Sequence, residues 1–167
     1  SFANIKETTF ENARERIYQI VVDVYAKNTF LLEGDLLEEA EKKFFRSVDM
    51  YMKETTATQA LHKLCDYLYR YYGKKVILLL DEYDTPMQEA WMYGFWEKLV
   101  SFTRTLFNST FKTNPYLERG LMTGITRVSR ESIFSDLNHL NVVTTTSNEY
   151  ATSFGFTRQE VAAALEE

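Results

Sequence analysis

Cysteine is almost absent from these 167 residues: Cys65 stands alone. That excludes an internal disulfide and any thiolate cluster, and it suits a reducing compartment, so the cytoplasm is the expected location. Proline and glycine are scarce as well, with 2 and 6 copies, which argues against collagen-like, low-complexity and disordered classes. No purely apolar stretch is longer than residues 76–80, far short of the roughly 20 residues that a membrane helix requires. The first residues do not read as a basic-then-apolar leader, so neither a membrane span nor a targeting segment is expected. There is no excess of basic charge either: 19 Lys and Arg stand against 24 Asp and Glu, for a net charge of -5. Direct nucleic-acid binding through the overall field is therefore not expected, because phosphate contacts need clustered cations.

What is present is an ordinary globular composition, 45% hydrophobic and 26% charged. A chain of this length buries roughly 70% of its unfolded surface and needs no metal or disulfide to fold. The 11 Tyr and 12 Phe fall at helical apolar positions and read mainly as core.

Three helices are predicted in the first 73 residues. Thr8 and Glu11 have the spacing of a capping box, and Phe10, Ala13, Ile17, Ile20, Val21 and Val24 then recur with helical period to about Lys27. After the turn at Glu33, Gly34 and Asp35, a second stretch sets Leu36, Leu37, Ala40, Phe44, Phe45 and Val48 against a charged face of Glu38, Glu39, Lys42 and Lys43. Thr56 and Gln59 repeat the capping spacing before a third helix, which Gly73 stops. Residues 76–80 then form an unbroken apolar run bounded by charge, the pattern of a strand covered on both faces. A helix from about Phe95 to Phe107, a second strand over residues 120–126 and a weaker third strand over 142–146 follow. Strand, helix, strand implies parallel pairing, so the fold class is α/β. A last capping box, Thr157 with Glu160, opens a terminal helix. Ser1 in place of methionine, and a last helix that runs to Glu167 without a cap, lead us to expect a fragment of a longer protein. The expected organisation is one domain fragment: a helical part over 1–73, a sheet half over 74–147 and the start of a helical segment over 148–167.

Chemistry is expected where the apolar strand ends, at Asp81-Glu82-Tyr83-Asp84. In open α/β sheets, ligands bind beyond the carboxyl ends of the strands. A hard cation with phosphate oxygens favours a carboxylate ligand, and a neighbouring carboxylate can polarise water. This is a Walker B layout, with Asp81 for Mg²⁺ and Glu82 for the attacking water. The bland alternative is a strand that ends in acids only because the chain leaves the core. The second strand ends in Thr126 and Arg127, and parallel topology brings that end to the same edge. Arg127 would sense or stabilise a terminal phosphate there, or form a salt bridge to Asp81, Glu82 or Asp84.

At these residues the sequence resembles the bacterial AAA-ATPase-like family of P-loop NTPases. The resemblance is carried by VILLLDEYDTP over residues 76–86, GLMTGITRVSRESIFSDLNHL over 120–140 and YATSFGFTRQEV over 150–161. It implies a Walker B pair at Asp81 and Glu82, a sensor-like strand end around Thr126 and Arg127, and ATP with Mg²⁺ as substrate and cofactor. Family members often carry a C-terminal nuclease-like domain, which would lie beyond Glu167. The departure is the phosphate loop: Gly34 is followed by Asp35, and Gly73 by Lys74-Lys75 and a strand. Without that loop's N-H groups and lysine the triphosphate loses its main anchors. The loop is expected upstream, and the chain alone is expected to be inactive.

Two other function classes stay open at this point. A haloacid-dehalogenase-like phosphatase would use the same strand end, but Asp81-Glu82-Tyr83-Asp84-Thr85 spaces its two aspartates one residue too far apart. A non-catalytic interaction module on an ATPase fold is the other, favoured by the missing loop. His62 and Cys65 stand three apart, without a second pair to complete a metal site. His139 reads as part of a polar turn. Trp91, Tyr93, Phe95 and Trp96 read as a packed lid or a stacking surface after the acidic loop.

Overall fold

The computed structural model describes residues 1–125, 137, 140–153 and 155–165. Two compact units divide the chain, Ser1–Leu137 and Asn138–Glu167. In the first, the order is α1 (Phe10–Ala26), a 3₁₀ turn (Thr29–Leu32), α2 (Glu39–Arg46), α3 (Glu54–Tyr72), β1 (Val76–Leu80), α4 (Thr85–Tyr93), α5 (Trp96–Phe111) and β2 (Leu117–Met122). The fold class is α/β, as the alternation of elements predicts.

Local chemistry sets the helix ends, with some differences from the sequence expectation. Thr9, and not Thr8, caps α1, its hydroxyl accepting the Asn12 N-H. Helix α2 is shorter than its apolar pattern suggests, because the capping box forms between Glu38 and Glu41 and leaves Leu36 and Leu37 in the approach to the helix. Helix α3 begins at Glu54, ahead of the Thr56 box, with no side-chain cap. Gly73 ends it at φ 64, a left-handed conformation that glycine adopts without a Cβ clash.

Helix α4 is an addition to the elements expected from helical period. Asp84 at the N-cap and Pro86 in the first turn start it, since proline's missing N-H costs nothing there. Trp91 and Tyr93 lie on this helix, and the Trp91 ring meets Trp96 edge-on at 5.9 Å.

The core lies where α1 and α3 pack on α5, with α4 on its flank and β1 against α3. Ile17 and Val21 from α1, Leu64 and Tyr67 from α3, and Leu99 and Phe102 from α5 are buried in it. The Tyr25 hydroxyl is also buried and donates to the Ala60 carbonyl at 2.8 Å. Desolvation pushes its pKa far above the usual tyrosine value, so it stays a neutral donor.

Strands β1 and β2 pair in parallel, with Leu78 opposite Gly120, Leu79 opposite Leu121 and Leu80 opposite Met122. The predicted parallel pairing is present, but β2 runs Leu117–Met122 where a strand over 120–126 is expected, and the crossover is α4 and α5, two helices where one is expected. The expectation of a doubly covered strand is corrected within the described residues. Leu80 is buried, but Ile77 and Leu79 are 61% and 70% exposed and Leu121 is 55% exposed, so one apolar face stands open.

In the second unit, residues 142–146 are not a strand. Ser147 N-H donates to the Thr144 carbonyl at 2.9 Å, and the Ser147 hydroxyl accepts the Thr144 N-H at 2.9 Å. These local bonds close a turn where a β-branched run predicts a ladder. The Thr157–Glu160 capping box is reciprocal, as predicted, and opens α6 (Arg158–Leu165).

Leu99 is fully buried on the helix that most of the core packs against. Leu99→Ala is expected to lower unfolding free energy by about 2–5 kcal/mol in urea titrations, the range for a buried leucine truncation; a loss below about 1 kcal/mol would contradict the assigned core.

Candidate active site

The hydrogen-bonded pairing of β1 and β2 does not stop where the strands do. Thr123 N-H donates to the Leu80 carbonyl at 2.9 Å, and Tyr83 N-H to the Thr123 carbonyl at 3.0 Å. The backbone therefore carries Asp81 and Glu82 out of the sheet already fastened to the neighbouring strand's exit. Asp81 emerges exposed and Glu82 partly buried, while Tyr83 and Asp84 turn back into the core.

Thr123 is the hinge of this arrangement. Its hydroxyl donates to Asp81 Oδ1 and accepts the Glu82 N-H at 3.3 Å. One side chain from β2 so orients the first carboxylate and holds the backbone of the second. That backbone is strained: Glu82 has φ 51, a left-handed conformation that disfavours a residue with a Cβ. Its carboxylate accepts the Thr85 hydroxyl at 3.2 Å. On the other side, Phe2 N-H donates to the Asp81 carbonyl at 2.8 Å, and the Ser1 hydroxyl lies 3.4 Å from Asp81 Oδ2.

Of the residues named from sequence, Asp81 and Glu82 are brought together at the carboxyl end of a parallel strand. Thr126 and Arg127 lie outside the described residues, as does His139. The exit of β2 does reach the acidic edge, through Thr123, Gly124 and Ile125. Asp84, the third carboxylate, is 1% exposed. It accepts the Ile125 N-H and the Gln88 side-chain amide, each at 3.1 Å. The two aspartates therefore differ in setting, Asp81 exposed and Asp84 buried.

Thr123 is the residue that the sequence reading leaves without a role, and Asp84, named there only as an ion-pair partner for Arg127 or a second phosphatase aspartate, is found buried. A polar residue directly after an apolar strand, beside a parallel partner that ends in acids, was the available signal for Thr123.

Among the described residues, no three His, Cys, Asp or Glu side chains converge as a metal cage. His62 turns its Nδ1 to the Ser109 carbonyl at 2.9 Å, and Cys65 is buried, where desolvation pushes its thiol pKa up. The donor set at Asp81, one oriented carboxylate open to solvent, suits a Mg²⁺ ion that takes most of its ligands from water and phosphate.

Residues 1–134 match the family described as predicted AAA-ATPase. The chain belongs to the AAA-ATPase-like family. This AAA-ATPase-like chain is also similar to an uncharacterized protein in the vnfD 5' region of Azotobacter chroococcum mcd 1, 26% identical over 94 residues. That match covers 56% of this chain and 18% of the relative, so the AAA-ATPase-like chain spans less than a fifth of the relative's length. No solved structure matches. No described helix is long and apolar enough to cross a membrane.

The Thr123 hydroxyl bonds in the AAA-ATPase-like site are expected to contribute about 1 kcal/mol, since they engage an exposed carboxylate. Thr123→Val should lose that amount in thermal or urea unfolding. Glu82→Gly should hold or gain stability by about 1 kcal/mol, because glycine relieves the left-handed strain. A destabilised Glu82→Gly chain would contradict the strained geometry.

Proposed function

We propose that this chain supplies the acidic half of a Mg²⁺-dependent ATP site. Asp81 would hold the ion and Glu82 would polarise the attacking water. The phosphate-binding loop would come from polypeptide outside these 167 residues, so that the chain alone is inactive. The observation that carries this reading is the Asp81–Glu82 turn at the carboxyl end of parallel β1, tied by Thr123 to the exit of β2. Membership of the AAA-ATPase-like family supports it.

The open sheet face also supports the reading. Ile77, Leu79 and Leu121 leave an apolar surface that a parallel sheet ordinarily covers on both sides. The far edge of β1 meets Phe2 at Asp81. Further strands and helices on that edge and face would complete an open α/β sheet and bring a phosphate loop to the strand ends.

Bound Mg²⁺ would neutralise charge that develops on the phosphate oxygens. The residues of this chain would do the rest. Thr123 keeps one Asp81 oxygen engaged and so fixes the direction of the other. Glu82, held in its left-handed turn and restrained by the Thr85 hydroxyl, presents a carboxylate next to the ion's ligand. Thr126 and Arg127, a few residues beyond Thr123, would contact the terminal phosphate, Arg127 through charge-assisted hydrogen bonds. The reducing cytoplasm is the proposed setting.

In the full-length protein, Glu82→Gln is expected to retain nucleotide binding and lose roughly 10²-fold or more in turnover. Asp81→Asn should raise the Mg²⁺ requirement as well. Unchanged turnover in Glu82→Gln would favour the non-catalytic interaction module, for which the open apolar face would be the docking surface. Arg127→Ala should lower ATP turnover and leave ADP affinity intact, since ADP lacks the phosphate it would read. An equal loss for ADP and ATP, with a lowered melting temperature in the absence of nucleotide, would assign Arg127 to a structural ion pair instead.

A further inference from the structure

We propose that Asp84 is a positioning residue for the acid pair, a buried carboxylate that clamps the exit of β2 to the turn carrying Asp81 and Glu82. The inference rests on reading that turn as the Mg²⁺-nucleotide edge, and it adds a residue that the ATPase reading does not use.

A carboxylate at 1% exposure is costly unless hydrogen bonds compensate it. Its bonds to described residues join the acidic turn, the first turn of α4 and the exit of β2. Its backbone carbonyl accepts the Met87 and Gln88 N-H groups, each at 3.0 Å, which roots it in the first turn of α4. Its side chain accepts the Gln88 amide, and across the sheet end it accepts the Ile125 N-H at 3.1 Å. That second strand exit is the one that presents Thr123, two residues earlier, to Asp81 and to the Glu82 N-H.

Closeness of approach makes the same point from the other strand. A Cβ at Gly124 would lie 2.5 Å from Asp84 Oδ1 and 3.0 Å from the Tyr83 ring. Only glycine admits the carboxylate at that distance. Gly124 sits between Thr123, which touches the acid pair, and Ile125, which the clamp holds. The strained Glu82 turn is thus restrained at one end by the Thr123 hydroxyl and at the other by the rooted Asp84. A carboxylate spent only on core stability would have no need to reach the residue beside Thr123.

The test uses the full-length protein with Asp84→Asn, which keeps the shape, and Gly124→Ala, which pushes on the same contact from the opposite strand. Two properties are followed: amide hydrogen exchange, and the Mg²⁺ dependence of ATP turnover. Exchange at Glu82, Thr123 and Ile125 is expected to accelerate by about tenfold or more, with the amides of α1, α3 and α5 unchanged. Mg²⁺ half-saturation should rise about 10- to 100-fold, the cost of disturbing a ligand's outer partner, while Mg²⁺-free ATP affinity stays constant. The double variant should be no worse than the more affected single one, since both act on one contact. Unchanged exchange at the three amides would overturn the proposal. So would acceleration throughout the helices accompanied by equal losses of Mg²⁺-free and Mg²⁺-bound affinity. If Asp84→Asn does not fold, Gly124→Ala carries the same comparison. A wild-type protein that neither binds nor turns over Mg²⁺-ATP would remove the ATPase reading, and local exchange would then decide the clamp alone.

Discussion

Two backbone hydrogen bonds beyond the ends of β1 and β2 hold the rest of the site in place. Thr123 N-H to the Leu80 carbonyl, and Tyr83 N-H to the Thr123 carbonyl, extend a parallel ladder past the last strand residues. Parallel pairs have evenly spaced but slanted bonds and need a long crossover, here α4 and α5. The crossover builds the core, and the core fixes the distance between the two strand exits. Asp81 and Glu82 inherit that fixed geometry, so a turn that faces solvent is positioned by buried packing around Leu99, Phe102 and Met87.

Constraint at this edge comes from both strands. The Thr123 hydroxyl engages the acid pair from β2, and the Asp84 carboxylate reaches back from the turn to Ile125. Between them Glu82 is kept at a positive φ that would relax in a free loop. Such strain persists only where the surroundings over-determine it, which marks Glu82 as a residue whose side chain, and not its backbone preference, suits the position.

Much of this was legible in the residue order, and the parts that were not have physical reasons. The apolar run at 76–80 identifies β1, but in a run without polar residues a buried face and an open face look alike, so the exposure of Ile77 and Leu79 leaves no trace in the pattern. Helix α4 has little periodic contrast in TPMQEAWMY, and only Asp84 and Pro86 announce its start. Residues 142–146 have strand composition, yet Thr144 and Ser147 satisfy their polar groups locally. Asp81 and Glu82 follow from their place after a strand. The part played by Thr123 depends on the register that sets Leu80 opposite Met122, and register is a property of the packed pair. Asp84 looks like one more acid in an acidic turn until its burial is known.

The central claim is that the Asp81–Glu82 turn is half of a nucleotide site, completed by polypeptide beyond these residues. Calorimetric titration of Mg²⁺-ATP into the full-length protein and into the 167-residue chain tests it most directly. The account predicts saturable binding by the full-length protein and none by the shorter chain. Binding of equal strength by the 167-residue chain, or no binding by either, would contradict it.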